Sequence, residues 1–208
     1  MQGRDNYRIQ AEQAKERFLT FDQELLIRKL NLEFDENYLY VNFLCKPYRI
    51  CRQTGFLEKQ QAGQWVSGDT YDEIMTLLDL VCGSREDRRL TGQWKNMQAF
   101  GLMFHRNLLE NQRNSWADRF QENPEVFRRG CLALHGVPFP GSDLGYGVDF
   151  FDGMKVAVQF WFGDEEFYPR LRYLWDESAL QYLHYETMYF AVPLLLERIW
   201  EEGTKNLD

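Results

Sequence analysis

Residues 146–162, YGVDFFDGMKVAVQFWF, carry the reading that decides the fold. Met154, Val156, Val158, Phe160 and Phe162 alternate with Lys155, Ala157, Gln159 and Trp161, so the even positions share one face of a strand. Tyr146, Val148 and Phe150 repeat the alternation before Asp152-Gly153. A two-residue Asp-Gly turn pairs Val148 with Ala157 and sends the two apolar sets to opposite faces. A three-residue loop with Gly153 in the left-handed position pairs Phe150 with Met154 and Val148 with Val156. Both apolar sets then share one face, and a slip of one residue undoes it. The three-residue loop is therefore the expectation.

Towards the C-terminus, the acidic stretch Gly163-Asp164-Glu165-Glu166 leads to a strand over Leu171–Trp175 and a short helix around Ser178–Leu183. The closing helix carries Met188, Ala191, Val192, Leu195 and Ile199 on one stripe. Pro193 costs about 3 kcal/mol deep inside a helix, so the helix is expected to place it in the first turn or to kink there. Towards the N-terminus, Asn123-Pro124 starts a helix that runs to Leu134 and ends at Gly136. Leu90–Trp94 reads as extended, and Phe100–Glu110 as either helix or irregular chain. Thr70 and Glu73 have capping-box spacing, followed by the stripe Tyr71, Ile74, Met75, Leu78 and Cys82, with Gly83 as a left-handed stop.

Before it, strands over Leu32–Phe34, Tyr38–Leu44 and Tyr48–Cys51 are separated by turns at Asp35-Glu36-Asn37 and Lys46-Pro47, with a further turn at Thr54-Gly55. The chain opens with a helix over Asp5–Leu19 and a second one capped by Asp22, with Leu25, Leu26 and Leu30 on one side. The pattern as a whole predicts one α+β domain over residues 1–208, an antiparallel sheet of short meander strands packed against amphipathic helices. Residues 1–30 form its N-terminal helical segment.

Composition narrows the function. With 44% hydrophobic and 16% aromatic residues, the 208-residue chain can bury a core without disulfide or metal staples. A mean hydropathy of −0.54 and the absence of a long uncharged apolar run exclude a membrane helix. Met1–Asp5 leads into polar helical sequence rather than an apolar signal region, and the expected compartment is cytoplasmic. Cys45, Cys51, Cys82 and Cys131 are dispersed and read as free thiols. A net charge of −8 argues against nucleic acid as a partner, and Arg85, Arg88 and Arg89, interrupted by Glu86 and Asp87, read as a solvated loop.

No phosphate loop, zinc-protease motif or nucleophile elbow is present, and no cofactor is expected. Three groups of residues could carry chemistry. Asp164, Glu165 and Glu166 could ligate a hard cation or supply an acid and a base; the alternative is a solvated loop balanced by Arg170 and Arg172. His184 and Glu186, two residues apart, could share a ligand in extended chain. Alternatively Glu186 or Thr187 caps the final helix while His184 packs or bonds to backbone. Trp161, Trp175 and Trp94 could line a pocket, or belong to the core. His105 and His135 have no carboxylate at a telling spacing, and His135 sits where a cation favours a helix end.

Three segments resemble the bacterial family catalogued as domain of unknown function 3786. They are Leu90-Thr91-Gly92-Gln93-Trp94, Phe162-Gly163-Asp164-Glu165-Glu166-Phe167 with Pro169, and Leu174-Trp175-Asp176 leading to Tyr182-Leu183-His184-Tyr185-Glu186. The order and spacing match from about residue 15 onward. The resemblance implies a protein of anaerobic bacteria without an assigned activity. Some members of the family carry a cysteine-rich iron–sulfur segment of a kind met in corrinoid proteins. The cysteines here do not form such a segment, and no D-x-H-x-x-G corrinoid motif occurs. The leading expectation is a non-catalytic binding or accessory module for a partner protein or small ligand in anaerobic metabolism. The second is a metal-assisted hydrolase or lyase using the acidic loop and His184.

Overall fold

Two antiparallel five-stranded sheets and six helices make up the computed structural model, which describes residues 2–101 and 114–205. His105 and most of the Phe100–Glu110 stretch lie outside the described residues. The chain divides into two compact units, one of residues 1–89 and 180–194 and the other of residues 90–179 and 195–208.

The first unit holds helices α1 (Gln2–Leu19), α2 (Gln23–Leu30) and α3 (Tyr71–Gly83), the first half of α6 (Tyr185–Thr204), and a sheet with strands in chain order. Its strands are β1 (Glu33–Phe34), β2 (Tyr38–Phe43), β3 (Lys46–Cys51), β4 (Leu57–Gln61) and β5 (Gln64–Ser67). Asp22 caps α2 as expected, accepting from Glu24 and Leu25 N–H, but the buried side is Leu26, Ile27 and Leu30 while Leu25 is exposed. The β2–β3 turn falls on Leu44-Cys45, both at positive φ, so Lys46 and Pro47 belong to the strand, not to the turn. The hairpin β4–β5 is too polar to be legible as strands in the sequence.

Thr70 and Glu73 form the expected capping box. Glu73 does more than cap. Its almost wholly buried carboxylate also takes Lys59 Nζ at 2.7 Å and the Tyr48 hydroxyl at 3.0 Å, tying α3 to the sheet. On the other side of α3, Ala11 and Phe18 bury the inner face of α1, and Lys15 pairs with Asp69 at 2.5 Å.

The second unit holds α4 (Ser115–Glu122), α5 (Pro124–Ala133), the second half of α6, and a sheet ordered β6-β10-β9-β8-β7. These strands are β6 (Trp94–Asn96), β7 (Val137–Pro138), β8 (Leu144–Phe151), β9 (Met154–Trp161) and β10 (Arg170–Asp176). Val148 does pair with Val156, as the shared apolar face requires, but not through a three-residue loop. Phe151 pairs with Met154 across a two-residue turn, Asp152-Gly153, with both residues at positive φ, and the extra residue is absorbed by a bulge between Asp149 and Phe151. Both faces of β9 are covered: Ala157 and Gln159 are as buried as their even-numbered neighbours.

Asn123 does not cap α5 with its side chain, which instead donates to the Arg119 carbonyl at the end of α4. Pro193 lies well inside α6, not in its first turn, on an exposed position. The first and third segments of the family resemblance meet at Asp176. Its buried carboxylate accepts the N–H groups of Thr91, Gly92 and Ser178 and the hydroxyls of Thr91 and Ser178, at 2.6–3.1 Å. Burial alone would push this carboxyl up, yet the bonds from Ser178 and Thr91 outweigh it and hold it at about 2. The arrangement is a latch on the loop entering β6.

Candidate functional site

Residues 75, 78, 79 and 82 of α3 share one helical face, and three of them, Met75, Leu78 and Cys82, are apolar. The fourth is Asp79, whose side chain is only 13% exposed. A carboxylate placed there needs partners, and the start of α6 supplies them. Oδ2 accepts the His184 backbone N–H at 2.8 Å and the Thr187 hydroxyl at 2.5 Å; Oδ1 lies 2.5 Å from His184 Nδ1. Neither Glu186 nor Thr187 acts as the local cap. His184 immediately precedes the helix, and an aspartate 105 residues away satisfies its N–H.

With Nδ1 turned to Asp79, the other ring nitrogen, Nε2, is directed away from the carboxylate. The His184 side chain is 60% exposed.

Gly83 belongs to this arrangement. It is the last residue of α3, Ser84 continues in extended conformation, and the left-handed stop expected there does not occur. A Cβ at Gly83 would stand 2.8 Å from Asp79 Oδ1 and 3.3 Å from the His184 ring, so glycine leaves the space in which the pair forms.

The pair closes one end of a cavity of about 540 Å3 walled by α1, α3 and the start of α6. Arg17 and Cys82 lie at the end with Gly83, Asp79 and His184. At the other end Tyr71 and Phe190 meet edge to face at 5.4 Å, and the Tyr71 hydroxyl donates to Gln10 Oε1 at 2.5 Å. Met75, Leu78 and Phe18 line the stretch between. Burial pushes the Cys82 thiol up to about 12, and the nearby Lys29 and Arg17 do not offset it.

The residues singled out in the sequence fall in different units. His184 and Glu186 both line this cavity, Glu186 as an exposed residue. Asp164, Glu165 and Glu166 belong to the second unit, in the loop after β9. Asp164 Oδ1 accepts the N–H groups of Glu166 and Phe167 at 2.8 Å each, and those two bonds hold its carboxyl below the usual range. Among the described residues, the three acids do not gather three ligand atoms within 4.8 Å. Arg170 and Arg172 lie over the Trp161 ring rather than on the acids. Trp175 is wholly buried against Phe150, and Trp94 meets Phe139 edge to face.

His135 has the carboxylate partner that its sequence neighbours did not show: Asp149, across the start of the sheet, at 2.8 Å from Nδ1. The basic run after α3 is held locally, Arg85 on Asp87 and Arg88 on the carbonyls of Arg85 and Lys29. All four cysteines are free, and no helix among the described residues is long and apolar enough to cross a membrane.

The sequence model of the family described as Domain of unknown function (DUF3786) matches residues 22–198. The chain belongs to this family. The DUF3786 match takes in α3 and the start of α6, with Asp79, Gly83 and His184, and leaves out α1, which supplies Gln10, Ala14 and Arg17 to the cavity. Neither a curated protein nor a solved structure is detectably similar to the chain.

Three contributors were missed in the sequence: Asp79, Gly83 and Arg17. Asp79 had a signal, an acid set into an otherwise apolar helical face. Gly83 had one that was misread, because a glycine at a helix end is more often a left-handed stop. Arg17 on the exposed side of α1 had none.

Proposed function

We propose that the chain is a binding module for a small organic ligand, with the cavity of the first unit as its site. The observation that carries this reading is the imidazole braced by Asp79 in a cavity whose walls include the apolar stretch Phe18, Met75 and Leu78. Its volume lies within the 300–1,000 Å3 range of small-molecule sites, and such sites combine apolar walls with a few fixed polar groups. Asp79, held by three donors, fixes the imidazole before any ligand arrives, which lowers the ordering cost of binding.

A thermal-shift screen of the full chain against a library of small organic acids, amides, amines and nucleosides tests it. Ligand at a hundred times its Kd adds about 2.7 kcal/mol of stability and raises the Tm. Hits should lose their effect in Ala14→Phe, which fills the cavity from α1. A flat screen, or hits indifferent to Ala14→Phe, sinks the reading.

One observation favours a second reading, a hydrolase or lyase. A carboxylate on Nδ1 with Nε2 free at a cavity is the arrangement of a general base. It would use His184 as proton acceptor, without the acidic loop. Turnover of any screen hit that disappears in His184→Gln, with binding retained, would promote it over simple binding.

A further inference from the structure

The structure assigns the cavity to a small monocarboxylic acid with an apolar body about 10 Å long, an assignment that rests on the ligand-binding reading above. The walls are polarised from end to end. Asp79 and Tyr71 are eight residues apart on α3, so the braced imidazole and the aromatic end are separated by about 12 Å.

At the imidazole end, charge is unevenly spent. Asp79 is occupied by His184 and Thr187 and has little left for a ligand amine. Arg17, by contrast, forms no ion pair among the described residues and only lies over the Phe21 ring, 5.8 Å away. The neighbouring cation on α1, Lys15, is committed to Asp69 and Glu12. Lys29 adds positive charge behind this end by donating to the Cys82 carbonyl at 3.2 Å. Arg17 lines the same cavity as His184, and a guanidinium without an ion pair suits a carboxylate, which takes two parallel N–H donors from it.

The middle and far end fix the rest of the ligand. Met75 and Leu78 offer apolar wall, and the Tyr71–Phe190 pair offers ring edges and faces to a flat terminus. Glu186, one turn before Phe190 on α6, has no partner among the described residues. Its charge disfavours a second acidic group along the body of the ligand, which restricts the assignment to a monoacid.

Isothermal titration of the full chain with 4-phenylbutyrate, 4-phenylbutyramide and 4-phenylbutylamine tests this. These probes share one apolar body and differ only in the head. The acid should bind at least tenfold more tightly than the amide. Arg17→Gln, an exposed substitution, should remove that advantage by weakening the acid far more than the amide. Glu186→Gln should tighten the acid a few-fold. An acid no tighter than its amide, or an acid affinity unmoved by Arg17→Gln, overturns the assignment while leaving the cavity a ligand site if the amide or amine binds. Binding of none of the three overturns it as well, and the broader screen then decides the fate of the site itself.

Discussion

Each unit carries a histidine joined through Nδ1 to an aspartate, and the two pairs are built for different ends. Asp79 is largely buried, accepts a backbone N–H and a hydroxyl besides the ring, and opens onto a cavity through the far side of His184. Asp149 is 40% exposed, divides its charge between His135 and Lys155, and holds a ring that is itself 73% exposed. The contact distances are similar, so distance does not separate a candidate site from a surface ion pair. What separates them is how many donors fix the carboxylate and what lies beyond Nε2.

Asp176 sets the upper limit for this comparison, because it is a carboxylate held even more fully with no imidazole involved. Asp176→Ala strands three backbone N–H groups and two hydroxyls and should cost about 4 kcal/mol in chemical denaturation. Its folded pKa, about 2, lies below the unfolded value. Its contribution is therefore complete above about pH 4 and is lost as pH falls from 4 towards 2, on the order of 2 kcal/mol. Acid denaturation curves of the wild type should show that slope, and Asp176→Asn should flatten it.

Asp79→Ala comes next. It leaves one N–H and one hydroxyl without an acceptor and should cost about 2–3 kcal/mol. If it costs less than 1, the brace is loose and the contrast with Asp149 collapses. Gly83→Ala sharpens the point at smaller cost. Alanine favours a helix by up to about 1 kcal/mol over glycine, offsetting the 2.8 Å contact with Asp79 Oδ1. Stability should change by less than about 1 kcal/mol, whereas any ligand that raises the Tm of the wild type should bind at least tenfold more weakly. Unchanged ligand affinity would show that the pair can shift and that its position is not critical.

Periodicity made most of the frame legible. The strand at Met154–Trp161, the Thr70–Glu73 box and the Asp22 cap each rest on near neighbours and stand in the structure, although both faces of that strand are buried and Phe162, expected on its core face, lies beyond it and exposed. Errors arose where two local solutions satisfied the same pattern. A three-residue loop and a two-residue turn with a bulge both put Val148 opposite Val156, and only strand twist and packing choose between them. Pro193 is a further case: its helix begins about two turns upstream, at Tyr185, where Asp79 accepts the N–H of the preceding His184. The candidate site was legible only at His184 and Glu186. Its brace comes from residue 79 and its cation from residue 17, and separations of that size leave no local trace.

The smallest effects should come from Asp149. Burial pushes its carboxyl up, but Lys155 and His135 outweigh that and hold it below the ordinary range. The stability it contributes is present above the unfolded pKa, near pH 4, and is lost as pH falls through the lower folded value. Because both partners are well exposed, solvent and salt screen the interaction, and Asp149→Asn should cost less than about 1 kcal/mol at neutral pH. That cost should shrink further in 0.5 M salt, whereas the cost of Asp79→Ala should not, since lost hydrogen bonds to a buried carboxylate are poorly screened. Equal costs and equal salt dependence for the two would mean that the Asp79 pair is another surface ion pair, and the case for a site at His184 would then rest on the cavity alone.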